Sequence, residues 1–486
     1  MKIAIIGAGI AGLASAVRMA CRGYQVEVFE ANAYPGGKLS EFSLDGYRFD
    51  AGPSLFTMPH YVDELFKLAG EDSSRHFEYV KLPVVCHYFW EDGTRLNAHA
   101  DPELFAQSAS DSFGVPPGAV LDLLRDGKKK YEITGRIFLE QSLHKLGTWL
   151  QWKVLKAMFQ IPGLDLFTSM NKVHERTARH PKLVQLFNRF ATYNGSNPYK
   201  APGLLSMIPH FEHGIGAFMP RKGMYAITQS IYELALRKGV KFHFNTPVSE
   251  ITVENGRAAG IVVNGQPRAY DRVISNMDVY YTYKKLLPRQ PHPERTLNQE
   301  KSTSALIFYW GIRRSFPELN LHNIFFSDNY RAEFDHLAAG KLYDDPTVYI
   351  NITSKYCPED APEGCENWFT MINVPFDSGQ NWEALKTRAR EQVLDKLSRI
   401  LGADIRPLIA CEDTLDPRGI EQKTWSHLGA LYGTSSNNRM AAFMRHPNFS
   451  GRIRHLYFCG GSAHPGGGIP LCLLSAKIVD QVLEHA

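Results

Sequence analysis

Lys2-Ile-Ala-Ile-Ile-Gly7-Ala8-Gly9-Ile10-Ala11-Gly12 opens the chain, an apolar strand running into Gly-x-Gly-x-x-Gly. This pattern is built to receive a dinucleotide pyrophosphate. Gly7 allows a tight turn, Gly9 lets the backbone approach phosphate, and Gly12 lets the following helix pack close with its N-terminal N–H groups facing the anion. Working outward, a helix is expected over Leu13 to Arg22, then a strand Gln25-Val-Glu-Val-Phe29, with Glu30 at its tip. Glu30 lies eighteen residues past Gly12, near the roughly 20 expected of an acceptor for ribose hydroxyls. Strand, helix, strand and acid in order argue against two blander readings. One is a cleaved leader, suggested by Lys2 before an apolar run to Val17; the other is a chance match in a turn.

The next segment narrows the dinucleotide to FAD. After Glu30 and Ala31 come Tyr34-Pro35-Gly36-Gly37-Lys38 and then Phe49-Asp50-Ala51-Gly52-Pro53-Ser54. A nicotinamide-binding unit would pass into its next helix and strand here. A paired glycine instead permits a second close backbone approach along an extended flavin dinucleotide. Near the far end stands Leu456-Tyr-Phe-Cys459-Gly460-Gly461-Ser462-Ala-His464-Pro-Gly466-Gly467-Gly468-Ile469-Pro470. A strand entering a glycine-rich bend and then an apolar helix is again a place where backbone N–H groups bind anionic or ribityl groups.

These segments together resemble the carotenoid desaturase family, the phytoene desaturase-like flavoproteins. Weaker similarity runs through Phe218-Met-Pro220-Arg-Lys-Gly223, Asn245-Thr-Pro247-Val248, Ser275-Asn276-Met277-Asp278 and Ala361-Pro-Glu-Gly364-Cys365. The resemblance implies an α/β fold: a Rossmann-like FAD-binding domain of the glutathione reductase and amine oxidase type, carrying an inserted substrate domain with a β-sheet and a helical, membrane-associating part. It implies noncovalent FAD, with Val248 meeting the adenine side and Asn276 and Met277 nearby. Gly461, Ser462, Gly468, Ile469 and Pro470 would lie along the ribityl chain and ring. Within the family, Asp50-Ala-Gly-Pro-Ser-Leu-Phe-Thr-Met-Pro59 looks most like the hydroxycarotenoid 3,4-desaturases, which act on a carotenoid end group.

Composition agrees with an enzyme of this kind. A chain of 486 residues, 44% hydrophobic and 21% charged, is that of a folded protein with a sizeable core. A net charge of +4 gives no reason to propose nucleic acid as a partner. No run of eighteen apolar residues is reached, so no membrane span is expected. The seven scattered cysteines lack zinc-site spacing, and the economical reading is a reduced cytoplasmic protein without a metal.

The FAD domain is expected in three pieces, 1–75, 214–285 and 421–486. The second piece should hold a helix Met224 to Lys238, a strand Lys241 to Asn245 and a hairpin turned by Asn255-Gly256. Residues 76–99 and 286–420 form the substrate-binding domain, with strands at Thr303 to Trp310 and Thr347 to Ile352. Residues 100–213 form a helical region. There, a helix over Arg136 to Gln160 carries Trp149 and Trp152 interleaved with Lys145, Lys153 and Lys156, and Lys128-Lys129-Lys130 precede it. Tryptophan beside lysine on an apolar helix suits a lipid interface, although packing over the substrate domain gives the same pattern. A substrate of about 40 carbons tips the balance toward lipid, since each carbon exposed to water costs ~0.8 kcal/mol.

The chemistry implied by the resemblance is removal of two hydrogens from adjacent carbons, one as hydride to flavin and one as a proton. The neighbouring polyene spreads the developing charge, so positioning and exclusion of water matter more than a strong base. Reduced flavin is reoxidised by oxygen or a membrane quinone. His464 is a candidate base, with positioning or packing as its alternative role. Glu140 and Lys153 are candidates to line the substrate tunnel. Phytoene desaturation is the alternative within the family. Outside it stand an amine oxidase-like enzyme, for which the aromatic and lysine site residues are not found, and a lipid-escort protein, which would be expected to lose the phosphate-binding glycines.

Overall fold

A computed structural model describes residues 1–152, 154, 161–438 and 444–484. Its centre is a five-stranded parallel sheet, in spatial order Lys241–His243, Gln25–Phe29, Lys2–Ile6, Arg272–Ser275 and Leu456–Phe458. Ile5 sits opposite Val28 on one side and Ile274 on the other, so the first strand is central. Its residues Ile3 to Ile5 are fully buried, as a parallel strand covered on both faces requires.

Helices Ile10–Cys21, Tyr225–Arg237 and Ile469–Glu484 cover one face. Ala11, Ala14 and Ala16 on the first keep its surface small, and Leu473, Leu474 and Ile478 on the last fill the shared core. A three-stranded antiparallel sheet, Val248–Glu254, Arg257–Val263 and Gln266–Ala269, covers the other face through Ile251, Ile261 and Val263. Its first turn is Asn255-Gly256, both at positive φ, as expected from the sequence. Its second, Asn264-Gly265, has the same backbone signature and carries the chain into a third strand.

The second large sheet has seven strands, ordered Ile409–Leu415, Ser304–Ile312, Glu366–Val374, Val348–Ile352, His322–Phe325, Val84–Phe89 and Arg95–His99. Period-two alternation decides its faces. Leu306, Phe308, Trp310 and Ile312 pack with Trp368 and Ile372 under helix Trp382–Leu401. Ala305, Ile307 and Tyr309, with Phe369 and Met371, point the other way and wall a cavity.

The region between the sheets' segments is helical, but the helix expected over 136–160 is interrupted within its described part. Helix Pro117–Phe138 ends there and a turn intervenes before Leu146–Trp149. Thr148 Oγ1 donates to the Ser142 carbonyl at 2.7 Å and Trp149 Nε1 to the Leu143 carbonyl at 2.9 Å. These local side-chain bonds hold backbone groups in a turn that a continuous helix would have used. Lys130 also departs from its expected lipid-facing role: it is fully buried, paired with Asp126 at 2.6 Å and Asp165 at 2.8 Å. Lys153, Leu155, Lys156 and Phe159 lie outside the described residues. Among the described residues, no helix is long and apolar enough to cross a membrane.

Candidate active site

The glycine fingerprint forms a cradle whose tightness is measurable. Gly7 has φ +93°, and a Cβ placed on Gly12 would stand 2.1 Å from the Gly7 carbonyl oxygen. Any side chain at Gly12 would therefore push the helix off the strand. A Cβ on Gly9 would meet the Asn276 amide oxygen at 2.7 Å. Glu30, at the tip of the second strand, is buried with both carboxyl oxygens in use. One accepts the Ala8 N–H at 2.7 Å and the other the Asn32 N–H at 2.9 Å. Each oxygen keeps a second acceptor position, so the carboxyl is fixed in place and still able to receive ribose hydroxyls.

Two further loops close on this cradle. Gly36 pairs with Gly9 and donates its N–H to the Ala8 carbonyl at 2.8 Å. A Cβ at Gly52 would lie 1.9 Å from the Lys38 carbonyl oxygen, so the Gly36–Lys38 and Gly52–Ser54 loops can stack only because Gly52 has no side chain. Lys38 donates its amine to the Leu431 carbonyl at 2.8 Å, and burial lowers its pKa against the pull of Asp278 and Cys472. From the C-terminal side, Ser462 Oγ accepts the Val279 N–H at 3.0 Å. Gly461 and Gly467 approach so closely that a Cβ on the first would meet the second at 3.3 Å.

These loops open on a cavity of about 880 Å³. Gly7, Gly9, Ile10, Ala11, Glu30 and Ala31 line one end, and Val248, Asn276 and Met277 join them. Gly36, Gly37, Lys38, Gly52, Pro53 and Ser54 continue the wall toward Gly461, Ser462, Gly468, Ile469 and Pro470. Ala8 and Gly12 stand behind the wall and hold its shape. Three segments far apart in sequence thus build one elongated slot rich in backbone N–H groups. Closely approaching glycines along it fit FAD, which would be held by Gly7 to Gly12 at the pyrophosphate, Glu30 at the ribose and the C-terminal bend at the ring.

His464 does not belong to this cavity. It is 1% exposed, its Nε2 meets the Gln141 carbonyl at 2.9 Å, and burial pushes its pKa down to about 3. That contact braces the turn after Phe138. Glu140 is likewise absent from the wall; it accepts from the Tyr61 hydroxyl at 3.3 Å and faces Lys477.

Beyond the cradle the cavity runs along the seven-stranded sheet, lined by Ile307, Tyr309, Phe369, Met371 and Val85 of the sheet and by Leu55. Sequence reasoning missed the polar end of this half. Arg189, Tyr193, Glu212, His322 and Tyr349 all line it, drawn from four separate segments. No local pattern marks them, because none is adjacent to a glycine motif and each looks like an isolated polar residue in an apolar stretch. Trp425 and Lys285 on the nucleotide side were also not anticipated; the Lys285 amine lies 3.8 Å from the centre of a Trp425 ring.

With this geometry in hand, comparison with known proteins is specific. Residues 10–480 match the family described as flavin containing amine oxidoreductase. A 1-hydroxycarotenoid 3,4-desaturase from Flavobacterium sp. is 53% identical over 485 residues, covering 100% of this chain and 99% of that protein. A 4,4'-diapolycopene oxygenase from Methylomonas sp is 34% identical, covering 98% of this chain and 97% of its own. Among solved structures, wild-type putrescine oxidase bound to putrescine aligns over 100% of both chains with a TM-score of 0.66 at 14% identity, a likeness of fold. The chain is an FAD-dependent oxidoreductase that belongs to the flavin containing amine oxidoreductase family and groups there with the carotenoid desaturases.

Proposed function

We propose that this chain desaturates a carotenoid end group, introducing the bond between carbons 3 and 4 of a 1-hydroxylated or monocyclic carotenoid. The observation that carries this reading is the continuity of one cavity from the FAD cradle into an apolar channel, in a chain 53% identical to a protein of that activity. Bound FAD supplies a hydride acceptor. The chain's own residues do the rest by position. Ile307, Tyr309, Phe369 and Met371 present a flat apolar wall that holds a rigid polyene and excludes water. Tyr309 is fixed by donating its hydroxyl to the Ala51 carbonyl at 2.7 Å, which ties the substrate wall to the Gly52–Ser54 loop.

The three pieces 1–75, 214–285 and 421–486 act on this reading as the FAD domain, with 76–99 and 286–420 as the substrate domain and 100–213 as the helical region. The helical region meets the membrane surface on the cytoplasmic side. Leu150, Trp152 and Phe167 are 78%, 76% and 73% exposed, an unusual display of large apolar side chains on one region. They suit entry of a substrate that is insoluble in water. Oxygen or a membrane quinone accepts the electrons afterwards.

Multi-step desaturation of phytoene is the second reading, favoured by the apolar lining of the channel but not by the charged residues Arg189 and Glu212 in it. Purified holoenzyme with liposomes, given phytoene or a 1-hydroxylated monocyclic carotenoid, separates the two. A red shift of extracted pigment equal to one new conjugated bond, with the hydroxylated substrate only, supports end-group desaturation. Serial new bonds from phytoene support the alternative.

A further inference from the structure

The apolar half of the cavity has one strongly polar interruption. Arg189 and Glu212 form an ion pair at 3.3 Å, with side chains 9% and 2% exposed. The Tyr193 hydroxyl joins both, accepting from Arg189 Nη1 at 3.1 Å and donating to Glu212. Nearby, His322 Nδ1 and the Tyr349 hydroxyl are 2.8 Å apart, and the same hydroxyl is 2.8 Å from Ser54 Oγ. All six line the cavity.

Stability does not account for this arrangement. A buried ion pair is often matched or bettered by apolar residues of the same volume, which would also suit a hydrocarbon channel. The cluster is moreover incomplete: among the described residues, Arg189 Nε and His322 Nε2 are buried without hydrogen-bond partners. Burial and Arg189 hold the His322 ring neutral, with a pKa of about 3. A buried N–H or ring nitrogen left unmatched is costly, which points to a ligand atom that completes it. A hydroxyl both donates and accepts, so it serves either tautomer of His322 as well as the Arg189 N–H.

We propose that Arg189, Tyr193 and His322 form a subsite for the hydroxyl group of the carotenoid end, the feature by which the enzyme selects hydroxylated substrates. The inference rests on the desaturase reading and adds to it the means of selection. Position supports it. Ser54 belongs to the loop that closes the flavin cradle, and two hydrogen bonds, Ser54 to Tyr349 and Tyr349 to His322, lead from that loop into the cluster. A hydroxyl on carbon 1 lies two carbons from a bond beginning at carbon 3, so its subsite has to adjoin the flavin end of the channel.

The test compares two carotenoids that differ only in the 1-hydroxyl, presented in liposomes to FAD-loaded enzyme. Dissociation constants are read from quenching of flavin fluorescence, and kcat/KM from pigment absorption. The wild type is expected to favour the hydroxylated carotenoid by about 10- to 100-fold, the effect of completing or orphaning one buried polar group. Tyr193→Phe, which removes a single oxygen, should lower that ratio several-fold through a higher KM for the hydroxylated carotenoid. Arg189→Met combined with Glu212→Gln removes both charges together and should bring the ratio near one. If the double variant fails to fold, Tyr193→Phe carries the test. Equal wild-type affinity for the two carotenoids overturns the subsite, as does a ratio unchanged in variants that retain FAD. Binding is read without turnover, so it decides the subsite even if the wild type desaturates neither carotenoid, a result that would overturn the desaturase reading instead.

Discussion

Asn276 clasps Gly12: its Oδ1 accepts the Gly12 N–H at 3.0 Å while its Nδ2 donates to the Cys459 carbonyl at 3.2 Å. One side chain thereby ties the first helix, the end of the fourth sheet strand and the start of the C-terminal glycine bend. Gly9 and Gly460 abut the same amide, where a Cβ would come within 2.7 Å and 2.5 Å of it. Asn276→Ala should therefore loosen the three pieces of the cradle together. We expect a loss of roughly 1–2 kcal/mol in stability, the cost of unmaking two partly buried hydrogen bonds, with FAD affinity lowered about tenfold. Thermal unfolding and flavin release on dilution measure both; full retention of flavin would contradict the role.

Two glycines give opposite expectations from the same substitution. Gly12→Ala places a methyl 2.1 Å from a backbone oxygen, which cannot yield without separating helix from strand, and the protein should purify without FAD. Gly118, in helix Pro117–Phe138, has nothing within 4 Å of its would-be Cβ. Gly118→Ala should raise stability by about 0.5–1 kcal/mol with flavin content unchanged. Flavin absorbance and melting temperature compare the pair directly.

Much of this site is legible in the sequence because close backbone approach leaves a mark that no other residue can supply. Gly7, Gly9 and Gly12, Gly36 and Gly37, Gly52, and the run at Gly466 to Gly468 announce themselves by type and spacing. The strand Ser304–Ile312 is readable as an apolar run, as burial on both faces requires, but which of its residues face the cavity is not. The helical region is less legible. Apolar periodicity over 136–160 continues across a turn made by Thr148 and Trp149 side chains, and a run of three lysines conceals one that is buried between two aspartates. The polar end of the substrate channel leaves no local signal at all, because the pairs Arg189–Glu212 and His322–Tyr349 form only through tertiary packing.

His213 gives the pH dependence. Its ring stacks on Phe105 at 4.7 Å, and burial, with Arg189 adding to it, pushes its pKa down to about 3. The unfolded chain takes up a proton near the ordinary value of 6.5, whereas the folded one does not until about 3. Its stabilising contribution is therefore complete above pH 6.5 and is lost as the pH falls from there toward 3. Each unit in that window costs about 1.4 kcal/mol per such proton. His213→Phe should flatten the stability profile between pH 6 and 4 by about that slope relative to wild type. Urea titrations across this range read it, and parallel profiles would contradict the assignment.

Leu150 and Trp152 test the membrane face. Both are more than three-quarters exposed, so replacing them by serine leaves the core untouched. Burial of side chains of this size in lipid contributes about 1.5–3 kcal/mol each. Leu150→Ser with Trp152→Ser should lower liposome co-sedimentation at least tenfold while FAD content stays constant. Equal sedimentation of variant and wild type would contradict the proposed membrane face.

The central claim, that electrons leave a hydroxylated carotenoid for bound FAD, is tested most directly by a single anaerobic turnover. FAD-loaded enzyme on liposomes is mixed with excess 1-hydroxylated carotenoid in the absence of oxygen and quinone, and both chromophores are followed. The account predicts that the oxidised-flavin band bleaches at the same rate as the pigment shifts to the red, with one new double bond formed per flavin reduced. A carotenoid spectrum that stays fixed while the enzyme is fully loaded with flavin, or a shift without flavin bleaching, would contradict it.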